Sequence, residues 1–177
     1  MNAALELFAE YGVSGTSLQM IADHLGVTKA AVYYQFKAKE DIVLAVLEPA
    51  FVRMRTFVSS AEAASSPDEA AEIAMRGLVD LTIDERQVVA TLFRDPEAER
   101  IVQSHHDVQA LISRLGQMLL GPDPDARRRV AVSVLGPGLA HAGLDPQLAD
   151  IDDAVLRDEL VYLGRTLFVA ADARVSG

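Results

Sequence analysis

Residues 16–36 read Thr16-Ser17-Leu18-Gln19-Met20-Ile21-Ala22-Asp23-His24-Leu25-Gly26-Val27-Thr28-Lys29-Ala30-Ala31-Val32-Tyr33-Tyr34-Gln35-Phe36. Leu18, Ile21, Ala22 and Leu25 recur at i, i+3, i+4 and i+7, which is one face of a helix. Thr16 and Gln19 stand at capping-box spacing and predict where that helix starts. Gly26 supplies the left-handed φ of a C-terminal cap. Thr28 then caps a second helix, Lys29 to about Gln35, with Val32 and Phe36 turned inward. Two short helices joined by a glycine turn are a helix-turn-helix candidate. In such a unit the first helix braces the second, whose N-terminal turn enters the major groove. That turn needs small or polar residues, and here they are Thr28, Lys29, Ala30 and Ala31. The alanine pair offers only methyl groups, so base readout rests on Lys29 toward guanine and on alanine contact with thymine methyls. Tyr33, Tyr34 and Lys39 follow, suited to phosphates at the groove edge.

Outward from this stretch nearly every segment reads as helix, and alternating apolar/polar runs are absent. A helix over 2–11 puts Ala4, Leu5 and Phe8 on one face, with Gly12 as its end. A long helix is expected over 38–63, with Pro49 removing the bond to the Ala45 carbonyl and kinking it. Ser66-Pro67-Asp68-Glu69 is a strong start signal. Further helices are predicted over 67–80, 82–94, 96–120, 124–142 and 152–173. The fold class is therefore all-α, about nine helices. It divides into a three-helix domain over 1–47 and a larger helical regulatory and dimerisation domain over 48–177.

Composition bounds the function. The chain has 177 residues, half of them hydrophobic, with no cysteine and a formal net charge of −10. Disulfides, thiolate metal sites and cysteine nucleophiles are excluded. No apolar run reaches the roughly 18 residues of a membrane span. The acidity is uneven. Residues 1–47 hold three lysines against five acids, and every lysine lies within 29–39. Residues 48–177 hold thirteen arginines against 21 acids, which disfavours non-specific DNA binding by that part. His105 and His106 are adjacent, so on a helix their side chains diverge by about 100° and cannot easily share an ion. Arg127, Arg128 and Arg129 read as a solvated helix start flanked by Asp123 and Asp125. No nucleophile elbow, carboxylate pair or phosphate-binding glycine loop is present, so no catalytic residue, metal or cofactor is expected.

The run from Phe8-Ala9-Glu10-Tyr11-Gly12, through Thr16-Ser17 and Ile21-Ala22, to Gly26-Val27-Thr28-Lys29, Val32-Tyr33-Tyr34-Gln35-Phe36 and Lys39-Glu40 resembles the DNA-binding domain of the TetR family of transcriptional repressors. The resemblance covers about residues 2–47; beyond them only the all-helical character agrees. It implies a cytoplasmic homodimeric repressor, not an enzyme, which a small and largely apolar ligand releases from its double-stranded operator. By carry-over, Thr16 or Ser17 caps the second helix against a phosphate, Lys29, Ala30 and Ala31 face the bases, and Tyr33, Tyr34 and Lys39 hold phosphates. Family members usually carry a basic arm ahead of the first helix, whereas this sequence begins inside that helix. Upstream basic residues are therefore expected to tighten operator binding. The readings from other classes are a helical protein-interaction module that binds no DNA, and a helical enzyme.

The resemblance also implies a ligand pocket. Met75, Leu78, Val79, Phe93, Ile112 and Met118 are its candidate apolar wall, with His105 and Gln109 as polar anchors. The segment 133–143 is apolar on nearly all sides, and such a helix must be covered all round. A second subunit is the expected cover. Ser133, Gly136 and Ala140 would allow close approach, with Leu156, Leu160, Leu163 and Leu167 beside them, giving a four-helix interface from 124–142 and 152–173.

Overall fold

A computed structural model describes residues 2–172, with the side chains of 2, 92–94 and 169–172 left aside. The described residues form ten α-helices and no strand. They are α1 (Asn2–Gly15), α2 (Leu18–Leu25), α3 (Lys29–Gln35), α4 (Lys39–Glu62), α5 (Pro67–Asp84), α6 (Arg86–Arg94), α7 (Pro96–Ser104), α8 (His106–Leu120), α9 (Ala126–Ala142) and α10 (Asp153–Asp172), with a 3-10 turn at Pro146–Leu148.

The expected all-α class stands, with one helix more than predicted. The segment 96–120 is two helices, because His105 adopts extended φ/ψ of −96° and 104°. Its N–H donates to the Val102 carbonyl and closes α7. The α5 helix runs through Thr82, which is buried rather than a helix start, and the break falls at Glu85. The long α4 helix keeps helical backbone through Pro49. Gly12 does not end α1; it bends it, at φ 72° and ψ 165°, and the helix resumes to Gly15.

The chain forms two compact units. The first comprises Met1–Phe51 and Gln87–Gln109. Its buried side chains include Ala4, Leu7, Phe8, Val13, Ile21, Ala22, Val32, Ile42, Val43, Val46 and Leu47, with Ala98, Ile101 and Val102 from α7. The sequence reading divides the chain once, after residue 47, and leaves 87–109 with the larger part; in the structure that segment packs with the N-terminal helices.

The second unit comprises Val52–Arg86 and Ala110–Gly177. Its core joins Val58 and Ala61 of α4 to Met75, Val79 and Ile83 of α5, Leu111, Leu115 and Leu119 of α8, Leu135 and Leu139 of α9, and Leu156, Leu160 and Phe168 of α10. Two glycines permit its close approaches. A Cβ on Gly77 would lie 2.3 Å from the Phe57 ring, and one on Gly164 would lie 2.8 Å from Met75 Sδ.

Candidate nucleic-acid interface

The α2–α3 pair is built by local chemistry. Ser17 has extended backbone, and its hydroxyl oxygen accepts the Met20 N–H at 3.1 Å. The N-terminal cap of α2 is thus Ser17, one residue later than the Thr16–Gln19 spacing predicts; Gln19 instead donates to Asp23 at 2.7 Å. Gly26 closes α2 at φ 67°, with no atom within 4 Å of where a Cβ would stand. The glycine is required by backbone angle, not by space. Thr28 caps α3, accepting the Ala31 N–H at 3.2 Å.

Ile21, Ala22 and Val32 are buried and hold α3 against α2. The opposite face is open. Thr28, Lys29, Ala30, Ala31, Tyr33 and Tyr34 are all exposed, Tyr34 to 93%. Lys29 Nζ lies 5.6 Å from the Tyr33 ring centroid, a cation–π distance that orients both groups on one surface. Lys37, absent from the expected site, is also exposed just beyond α3. No periodicity marks such a residue; its lysine neighbours are its only sequence signal.

Two expected DNA-contact residues sit differently. Thr16 is 2% exposed, its hydroxyl 2.8 Å from the Gly12 carbonyl and 3.2 Å from that of Leu7. Burial takes it away from any phosphate. Lys39 is half-buried, and its ammonium donates to the carbonyls of Val13, Ser14 and Thr16 at 2.7, 3.3 and 3.3 Å. Asp41 accepts the backbone N–H groups of Lys37 and Ala38 at 3.0 and 3.1 Å and so fixes the entry to α4.

Asp95 belongs to the same unit, and its bond to α1 was not anticipated. One carboxylate oxygen caps α7, accepting from Glu97 and Ala98 N–H at 2.9 and 3.0 Å. The other accepts the Val13 N–H at 2.6 Å. Close by, the Arg100 guanidinium holds the Glu97 carboxyl below its ordinary range, and the Lys39 charge acts the same way.

Residues 1–46 match the family model for bacterial regulatory proteins of the tetR family. The AcrR transcriptional regulator of Shigella flexneri is 46% identical over 48 residues, which are 27% of this chain and 22% of that protein. The chain thus matches less than a quarter of that relative's length. Among solved structures, the TetR-family protein SCO3833 of Streptomyces coelicolor A3 superposes with a TM-score of 0.70 at 17% identity, over 94% of this chain and 88% of that one. The regulator FadR of Bacillus subtilis, solved with stearoyl-CoA, gives 0.64 at 17% identity, over 92% and 94%.

The similarity to the tetR family in sequence lies in residues 1–46, and the solved structures extend it as a likeness of fold.

That family is one of regulators, not enzymes. The residues expected to line a ligand pocket are divided between the two units. Met75 and Val79 are fully buried in the second unit's core, and Leu78 packs partly buried against it. Ile112 is 37% exposed. His105 and Gln109 belong to the first unit, where Gln109 donates to the Val102 carbonyl at 3.3 Å. The Phe93 side chain lies outside the described residues. Met118 lines a groove of about 440 Å³ with Glu62, Pro67, Ala70, Arg114, Gln117, Gly121 and Pro122. Arg114 and Glu62 are ion-paired at its edge.

The expected interface residues also divide. Ala140, Leu156 and Leu160 are buried within this chain's own unit, a correction to their placement between subunits. Ser133, Leu163 and Leu167 are exposed, and Gly136 has open space over its Cα. The apolar residues that do face outward are Val130 and Val134 on α9 and Val155, Tyr162, Leu163 and Leu167 on α10. Among the described residues no helix is long and apolar enough to cross a membrane, and no three acidic, histidine or cysteine side chains are grouped to hold a metal ion.

Proposed function

We propose that this chain is a transcriptional repressor that binds double-stranded operator DNA as a homodimer. The observation that carries it is the exposed N-terminal turn of α3, where Thr28, Lys29, Ala30 and Ala31 project while Ile21, Ala22 and Val32 are buried behind them. Lys29 reads base edges, Ala30 and Ala31 press on thymine methyls, and Ser17, Tyr33, Tyr34 and Lys37 meet phosphates. The outward apolar stripes of α9 and α10 support pairing with a second copy, since contiguous exposed apolar surface marks an interaction site. A cytoplasmic location accords with DNA as the partner.

The effector is a small, largely apolar molecule held by the second unit. The groove at Met118 is its entry, and Arg114 suits a ligand with one polar or anionic end. The same fold accommodates stearoyl-CoA in FadR.

The test is selection of a duplex from a random library, followed by fluorescence anisotropy against variants. Lys29→Ala should relax sequence preference at a cost of about 1–3 kcal/mol. Equal affinity and equal selectivity of wild type, Lys29→Ala and Tyr34→Ala would defeat the reading.

A further inference from the structure

The bend in α1 leaves one residue held from two sides. Val13 is fully buried, yet its N–H and its C=O are each bonded to a charged side chain from another helix. Asp95, 82 positions along the chain, takes the N–H at 2.6 Å. Lys39 donates to the C=O at 2.7 Å. Bonds between charged and neutral groups are about twice as strong as neutral pairs. Buried backbone groups left without a partner are costly, so both attachments matter.

The surrounding geometry fits the same purpose. Gly12 turns the chain to φ 72°, and a Cβ there would lie 3.0 Å from Asp95 Oδ2. The position therefore needs glycine both for its angle and for the approach of the carboxylate. Lys39 spans the whole corner between α1 and α2, since its third acceptor is the Thr16 carbonyl, immediately before the Ser17 cap. Arg100 of α7 pairs with Glu97 at 2.7 Å and reaches Glu40 of α4 at 3.9 Å, which keeps α7 beside that corner.

We propose that Asp95 and Lys39 form a clasp on Val13 that positions the helix-turn-helix for DNA, with Lys39 acting through the α1–α2 corner and not as a phosphate ligand. This rests on the DNA-binding reading above. An ammonium group has three donors, and three carbonyls already meet those of Lys39. A phosphate oxygen would have to displace one of them. The clasp also makes the first turn of α7 a working part of the DNA-binding unit, although it lies about sixty residues beyond the helix-turn-helix.

The electrostatics make the test sharp. Removing an acidic charge from a DNA-binding unit ordinarily strengthens its attraction to a polyanion. The clasp requires the opposite for Asp95. In Asp95→Asn one oxygen still caps α7, but an amide NH₂ faces the Val13 N–H. The full chain with this substitution should bind a wild-type-selected duplex at least ten-fold more weakly. Lys39→Met should also lose ten-fold or more, with the slope of log affinity against log salt unchanged. Lys39→Arg should recover part of the loss. The Val13 amide, followed by NMR hydrogen exchange, should exchange at least ten-fold faster in Asp95→Asn. If that variant does not fold, Asp95→Ser retains a capping oxygen but cannot reach Val13, and carries the same expectations.

Undiminished affinity of the Asp95 variant, or unaltered Val13 exchange, overturns the clasp. A salt slope reduced by about one per subunit in Lys39→Met returns that lysine to the phosphates. If the wild type selects no duplex at all, the DNA-binding reading falls, and Val13 exchange alone decides whether the clasp exists.

Discussion

Gly26 and Gly116 have open space where a Cβ would stand, but only Gly26 has a positive φ. Alanine should therefore act in opposite directions at the two sites. Gly26→Ala forces a left-handed conformation and should cost about 1–2 kcal/mol. Gly116→Ala, inside α8, should stabilise by roughly 0.5–1 kcal/mol because a helix interior disfavours glycine. Urea unfolding of the two variants checks both signs. Single-residue roles were legible where they depend on near neighbours. Gly26 and Thr28 were read correctly as caps because a cap is made within four residues. Gly12 was read as a terminator, since a terminator and a bend share the same φ. What distinguishes them is Asp95, and nothing near Gly12 in sequence announces it. The partners of Thr16 and Lys39 were not legible for the same reason, being carbonyls that only the folded corner brings near.

At the scale of elements, α5 and α10 are laced by arginine–carboxylate pairs. Glu72 meets Arg165 at 2.9 Å, and Asp84 meets Arg157 at 2.8 Å, with Arg76 and Arg53 as second partners. Arg165 foremost lowers the Glu72 pKa below its ordinary 4.5, and Arg157 foremost lowers that of Asp84 below 3.8. Carboxylates depressed in the folded state stabilise fully above those ordinary values, and the contribution fades as pH falls through the lowered ones. The melting temperature should therefore drop between about pH 5 and about pH 3, and less steeply in Arg157→Met with Arg165→Met. The pairs are largely solvated, so each contributes little by itself. A variant that melts with the same acid slope as wild type would exclude these pairs as the cause. Helix existence was well marked in the sequence, as by Ser66-Pro67 at the start of α5. The break at His105 was not, because no glycine or proline carries it; Ser104 and the Val102 carbonyl close α7 with bonds that any sequence of this polarity could make.

For the whole molecule, exposed and buried faces of α9 and α10 separate association from folding. Val134, Tyr162 and Leu163 face outward, whereas Leu160 lies in the core. Leu163→Glu should give a folded monomer in sedimentation and lose tight operator binding, since two linked helix-turn-helix units gain avidity that one lacks. Gly136→Arg should do likewise, because nothing within its own chain stands near the added Cβ. Leu160→Ala should instead cost about 2–5 kcal/mol of stability without freeing subunits. A wild type that remains monomeric at micromolar concentration would remove the homodimer. An apolar helix announces that it must be covered, but its sequence does not say which side meets its own chain and which a second, and so Ala140, Leu156 and Leu160 were assigned outward. One pattern visible from the start acquires a practical meaning once the structure is known. Lysine ends at residue 39, so a lysine-specific protease has three bonds to cut and leaves everything from residue 40 onward as a single fragment. Lys29 and Lys37 are exposed at either end of α3, while Lys39 is held in its corner. The chain therefore carries a built-in footprinting label, in which cleavage after Lys29 reports on fraying of α3 and on any DNA that shields it.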